Sequence, residues 1–196
     1  MNPQEYLIET ARESLAIRDQ FLREHGRDLE NAAKLMAERI GRGGKLLIIG
    51  NGGSAADAQH MAAEMVGRML IERRPLPAIA LTTDSSNLTA IGNDYGYDQV
   101  FVRQVQALAR PEDIVLAIST SGNSKNVLAA VEAARAIGCK IIGLTGGTGG
   151  KLKAECDILL NAGLGKNSSR IQETHIFAVH SLVDLLDRYF LSIAGA

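Results

Sequence analysis

The sequence predicts a three-layer α/β/α sandwich, with a five-stranded parallel sheet held between helices. Three observations predict it. Short, continuous apolar runs recur at Lys45–Ile49, Ala78–Leu81, Ile114–Ile118, Lys140–Leu144 and Asp157–Leu160. Strand-sized runs without polar alternation belong to strands covered on both faces, as in parallel sheets. Helical stretches separate them, at Ser54–Ile71, about Gln99–Ala109, Ser124–Ile137 and briefly near Lys151–Ala154. Most of the runs end in Gly, Ser, Thr, Asn or Asp, so polar loops gather at the carboxyl ends of the strands. That is where open α/β sheets bind their ligands.

Two helices are expected before the sheet. Leu7, Ala11, Leu15 and Leu22 recur at helical spacing from about Pro3 to Glu24. His25-Gly26 reads as a break, and a second helix runs from Asp28 to about Ile40 on Leu29, Ala33, Met36 and Ile40. Gly41, Gly43 and Gly44 stop it. A long helix from about Ser169 to Ile193 closes the chain. With no internal repeat and no long linker, residues 1–196 read as one domain: helices over about 3–41, an α/β core over about 45–165, and the last helix over about 169–193.

Composition narrows the function classes. The 196 residues are 46% apolar and 22% charged, with a net charge of −1. Nothing here favours general binding to nucleic acid or to an anionic membrane surface, so an anionic ligand must be held by local groups. Cys139 and Cys156 lack metal-type spacing and read as small core residues. No apolar stretch approaches the ~20 residues of a membrane span. The polar start Met1-Asn2-Pro3-Gln4-Glu5 is unlike a secretory leader, so the cytoplasm is the expected compartment.

The segment Ser119-Thr120-Ser121-Gly122-Asn123-Ser124 leaves a strand and enters a helix. Four hydroxyls, a permissive glycine and the free amides of a helix N-terminus suit a phosphate. The plainer alternative is a turn with Ser124 as helix cap. After the first strand, Gly50-Asn51-Gly52-Gly53-Ser54-Ala55 formally matches a dinucleotide fingerprint. The acid that fingerprint needs ~20 residues later is missing, since Asp84 comes too late. A tight turn whose amides, Asn51 and Ser54 meet a polar ligand is the other reading.

Beyond that turn, Asp57, His60, Glu64 and Arg68 share one helical face. His60 and Glu64 at i,i+4 suit a metal, and Glu64 suits a base on a carbon acid; a solvated polar face fits the spacing as well. In the last helix, Gln172 and His180 fall on nearly the same face, and His175 points elsewhere. Asn93 and Asp94 sit in a Gly-bounded stretch that reads as a turn and offers groups for sugar hydroxyls.

Taken together, these motifs resemble the sugar isomerase (SIS) domain family over nearly the whole chain. The match lies in GNGGSAADAQHMAAEMVGR from Gly50, AIGND from Ala90, AISTSGNS from Ala117, LTGGTGG from Leu144 and RIQETHIFAVH from Arg170. It is closest to the branch that interconverts sedoheptulose 7-phosphate and D-glycero-D-manno-heptose 7-phosphate on the way to activated heptoses. The resemblance implies a flavodoxin-like sheet and a homotetramer with active sites at subunit interfaces. It implies that Asn51, Gly52, Gly53, Ser54, Arg68, Asn93, Asp94 and Gln172 contact substrate and that Ser119, Thr120, Ser121 and Ser124 hold its phosphate. Glu64 is then the general base and His180 the general acid. His60, Glu64, Gln172 and His180 match the positions of a zinc site. One departure is Ser169, where some relatives have Asp before Arg-Ile-Gln-Glu. The resemblance also admits a non-catalytic tetramer that binds the bacterial replication initiator, which shares the phosphate loop, or a sugar-phosphate sensor. As the family is understood, that binding relative lacks the acid and imidazole at the positions of Glu64 and His180.

Overall fold

The computed structural model describes residues 2–194. The sheet has five parallel strands: β1 (Leu46–Gly50), β2 (Ala78–Ala80), β3 (Ile114–Ser119), β4 (Lys140–Gly146) and β5 (Ile158–Ala162). Their spatial order is β2-β1-β3-β4-β5, the doubly wound order whose switch point lies between β1 and β3. Gly50 pairs with Ile118 there, so the glycine turn and the hydroxyl loop emerge side by side.

Alternation along the strands splits the core in two. Leu46 and Ile48 of β1, Leu116 and Ile118 of β3, and Ile142 and Leu144 of β4 face one helical layer. That layer is α1 (Pro3–Gly41), α2 (Gly53–Val66) and α6 (Ser168–Ala194). Leu47, Ile49, Val115, Ala117 and Ile141 face the other layer. It contains α3 (Ser85–Tyr95), α4 (Val102–Leu108) and α5 (Lys125–Ile137).

Four local expectations are corrected. The first two helices are one helix of 39 residues. Gly26 costs a helix interior only about 1 kcal/mol. Here Phe21 and Leu29 are buried on either side of it, and His25 Nδ1 lies 2.9 Å from Asp28 Oδ2 across the supposed break. Tertiary burial therefore outweighs the glycine. The helix after the glycine turn ends at Val66 rather than near Ile71, because the chain turns away at Gly67. Arg68 consequently leaves the face it was expected to share with His60 and Glu64. The Gly92–Gly96 stretch is no turn: Gly92 to Tyr95 form the end of α3, which Asp84 caps and Gly96 ends at φ 85°. The later helix begins at Val102, after a 3-10 turn over Tyr97–Gln99.

Candidate active site

Two clusters stand at the carboxyl edge of the sheet and along α2. The first is the hydroxyl loop after β3. Ser119 Oγ and Ser124 Oγ lie 3.0 Å apart, and Gly122 N donates to Ser119 O at 3.0 Å. Ser124 occupies the N-cap of α5 but makes no side-chain bond to a helix amide. The Ser124 side chain therefore does not cap the helix, and the amides of Lys125 and Asn126 keep their capacity for a ligand, while that of Val127 donates to Asn126 Oδ1 at 2.9 Å. Gly122 is held at φ 63° against the Gly149 carbonyl, and Leu152 N donates to Gly122 O at 3.0 Å. The loop after β4 thus braces the loop after β3. Thr120 and Ser124 are half-buried, Ser121 is exposed and Ser119 is buried.

Asn51 sits between this loop and the glycine turn. It exchanges amide hydrogen bonds of 2.9 and 2.8 Å with Asn126, and Tyr97 Oη donates to its Oδ1 at 3.2 Å. Asn126 is 3% exposed on α5. Neither Asn126 nor Tyr97 was singled out in the sequence. The signal for Asn126 was an amide on the apolar side of a helix, next to Val127. Gly52 and Gly53 lie open at the start of α2, whereas Ser54 is buried under the turn against Gly50. The Gln172 amide of α6 rests directly on Gly53, where any Cβ would collide with it.

The second cluster lies two turns further along α2 and α6. His60 Nε2 and His180 Nε2 are 2.9 Å apart with their rings edge to face, and Glu64 Oε1 is 3.6 Å from His60 Nε2. Glu64 and His180, the base and acid that the resemblance implies, therefore both border His60 within one chain. In the neutral pair one imidazole donates Nε2–H and the other accepts. The cluster is open to water, with His60 42% exposed and Glu64 20%. Among the described residues no three His, Cys, Asp or Glu side chains are already closed on one metal-sized point. The pairwise spacings nevertheless bracket the ~3.3 Å that separates ligand atoms around a tetrahedral zinc.

Other expected residues lie apart. Arg68 forms a 3.4 Å ion pair with Glu72 on the surface. Asn93 and Asp94 are exposed on α3 and bond each other at 2.8 Å. Burial pushes the Cys139 thiol up to about 11 and Cys156 to about 12, so neither is a ready nucleophile.

Two groups on the same two helices, α2 and α6, titrate far from their ordinary values. His175 is fully buried, its Nε2 2.9 Å from Thr145 O, and burial lowers its pKa to about 4. Burial raises Asp57 to about 6, with His60 opposing. The depressed histidine stabilises the fold fully above its unfolded value of 6.5, and this is lost as pH falls from 6.5 towards 4. The raised aspartate acts the other way, favouring the fold as pH falls from 6 to 3.8. Between them His175 dominates. It contributes about 3 kcal/mol, whereas half-buried Asp57 is worth on the order of 1 kcal/mol after screening. Urea unfolding at pH 7.5 and 4.5 should show wild type losing markedly more stability than His175→Gln over that range; parallel losses would refute this assignment.

With the geometry in view, known proteins can be compared. A SIS domain model matches residues 11–146. A phosphoheptose isomerase of Solidesulfovibrio magneticus is 55% identical over 177 residues, covering 90% of this chain and 86% of that protein. The chain belongs to the phosphoheptose isomerase branch of the SIS domain family. Two solved family structures superpose closely. The enzyme from Neisseria gonorrhoeae matches with a TM-score of 0.90 at 46% identity, over 95% of this chain and all of that one. The enzyme from Francisella tularensis gives 0.92 at 40% identity, over 96% and 100%. The predicted sandwich and its strand order are thus the family's own, and the family membership favours an isomerase over the initiator-binding and sensor readings.

Proposed function

We propose that this protein isomerises sedoheptulose 7-phosphate to D-glycero-D-manno-heptose 7-phosphate through an enediol. The observation that carries the proposal is that Glu64 and His180 both border His60, at the exposed edge of a phosphoheptose isomerase fold. The hydroxyls of Ser119, Thr120, Ser121 and Ser124, with the amides of α5, hold the phosphate. Gly52, Gly53 and Gln172 meet the sugar hydroxyls, whereas Asn93 and Asp94, which lie apart on α3, would have to turn from each other to do so. The Asn51 amide is already committed to Asn126, so its part is to fix the turn against the phosphate loop. Arg68, on the surface beyond α2, can reach substrate only by leaving Glu72.

Glu64 removes a proton from C1 of the ketose and returns one to C2. His180 gives a proton to the C2 oxygen as the enediol forms and takes one back from the C1 oxygen as the aldehyde appears. His60, hydrogen-bonded to His180, fixes which face that ring presents. A zinc ion would draw on the same set, with His60, Glu64 and His180 as ligands, so a carboxylate or imidazole would have to be off the ion to carry a proton; Gln172, held on Gly53 two turns back, would have to swing round to join them. When bound, the ion would polarise the substrate carbonyl.

Self-association is part of the proposal. The first half of α1 exposes Tyr6 at 62%, Leu7 at 65% and Leu15 at 60%, an apolar stripe that a second copy would cover. A partner would also close the water-exposed side of the His60–His180 pair. A tetramer is the assembly the family resemblance implies. Among the described residues no helix is long and apolar enough to cross a membrane, and we place the enzyme in the cytoplasm.

Purified protein incubated with sedoheptulose 7-phosphate should yield the aldose, followed by NMR. Treatment with a chelator should remove at least nine-tenths of the rate, and added zinc should restore it. Full activity after exhaustive chelation would remove the metal from the proposal while leaving the isomerase.

A further inference from the structure

Arg73 and Asp187 form an ion pair of 2.7 Å between Arg73 Nε and Asp187 Oδ1. Their side chains are 3% and 0% exposed, which makes this the most deeply buried of the ion pairs found among the described residues. The rest of the guanidinium faces the carboxyl end of α2. Nη2 donates to Glu64 O at 2.8 Å, and Nη1 donates to Met65 O and Gly67 O at 2.9 Å each. A helix leaves its last carbonyls without intrahelical partners and carries partial negative charge there. α2 has no basic residue in its own last turn. Arg73, reaching back from beyond the helix, supplies both the donors and the charge. Glu64 lies in that last turn. Asp187 lies two turns beyond His180 on α6. One guanidinium therefore fastens the turn that carries the base to the helix that carries the acid.

We infer that Arg73 and Asp187 are positioning residues for isomerisation, holding Glu64 in register with His180. The inference rests on the isomerase reading above. A buried ion pair is a poor source of net stability, because desolvation offsets the attraction and well-packed apolar replacements often do as well. Here Asp187 Oδ2 is buried without a hydrogen-bond partner among the described residues, so the pair is not arranged for stability alone. What an apolar replacement cannot supply is the set of bonds to Glu64 O, Met65 O and Gly67 O. Without them Glu64 O and Gly67 O lose these donors while Met65 O keeps Leu76 N at 2.9 Å, so the last turn of α2 loosens around Glu64, and small misplacements of a catalytic group reach about a hundredfold in rate.

The test uses the full chain and begins with wild type turning over sedoheptulose 7-phosphate; an inactive wild type would sink the isomerase reading rather than this one. The double variant Arg73→Met/Asp187→Leu should keep a melting temperature near that of wild type. Its kcat should fall about a hundredfold with KM within about threefold, since the phosphate loop lies elsewhere. Wild-type kcat in a folded double variant would overturn the inference. Should the double variant not fold, Arg73→Lys keeps the charge beside Asp187 but loses the fork of donors. It should show the same kcat loss at constant KM, together with faster amide exchange at Gly67. Wild-type kcat in Arg73→Lys would equally overturn it.

Discussion

Glu64→Gln and His180→Ala should each lower isomerase turnover by about a hundredfold to ten-thousandfold, the range that general acid–base catalysis supplies. Gln keeps the shape of Glu64 and loses only its basicity. Ala removes the imidazole that sits 2.9 Å from His60. Both positions border water, so neither change opens a hole in the core, and melting temperatures should stay within a few degrees of wild type. Steady-state kinetics with parallel thermal melts check this. Loss of kcat at constant stability is the expected outcome, and a Glu64→Gln enzyme with wild-type kcat would end the role assigned to that carboxylate. The two substitutions should also be far from additive, because both disable the same proton-transfer step.

Gly122→Ala should damage substrate binding and stability together. Gly122 holds φ 63°, where an L-residue pays about 1–2 kcal/mol. Its Cβ would also fall on the carbonyl oxygen of Gly149, in the loop that braces it. Backbone cannot yield as a side-chain tip does, so the combined loss should be about 2–4 kcal/mol. KM for the sugar phosphate should rise at least about tenfold, because strain expelled from residue 122 displaces the hydroxyls on either side. Gly43→Ala is the internal comparison. It also has a positive φ, 92°, but open space around the added carbon and no part in the site, so only the conformational term applies. Equal losses at the two positions would show that the interlock between residues 122 and 149 contributes nothing.

The parallel sheet was legible because burial on both faces writes itself into the sequence as unbroken apolar runs; the order of its strands was not in those runs. Ile114–Ile118 needed no other evidence, and in the structure all of β3 is buried. The hydroxyl loop was legible because its residue types are unusual together. What escaped depended on tertiary context. Gly26 looked like a stop, but the burial of Phe21 and Leu29 carries α1 across it. Asn93 and Asp94 looked like turn chemistry beside Gly92 and Gly96, yet Asp84 caps a helix that runs through them. Arg68 kept helical spacing from Glu64 on paper, and one turn of backbone at Gly67 removed it.

The candidate site divides in the same way. Local spacing placed His60 and Glu64 on one face, and the packing of α2 on α6 then brought His180 to them from 120 residues away. Sequence spacing also separated His175 from His180 correctly: the first is buried on Thr145 O and the second is exposed beside His60. Nothing local announces Arg73 as the cap of α2, because its partners are backbone carbonyls and an aspartate 114 residues on. Pairs of that kind become visible only when two helices are seen in contact.

The most direct test of the central claim is to run sedoheptulose 7-phosphate with the zinc-supplied protein in deuterium oxide and read the sugar by NMR. Proton removal from C1 by Glu64, followed by delivery to C2, predicts an aldose product carrying deuterium at C2. Recovery of the ketose unchanged, with both C1 protons intact and the protein folded, would contradict it.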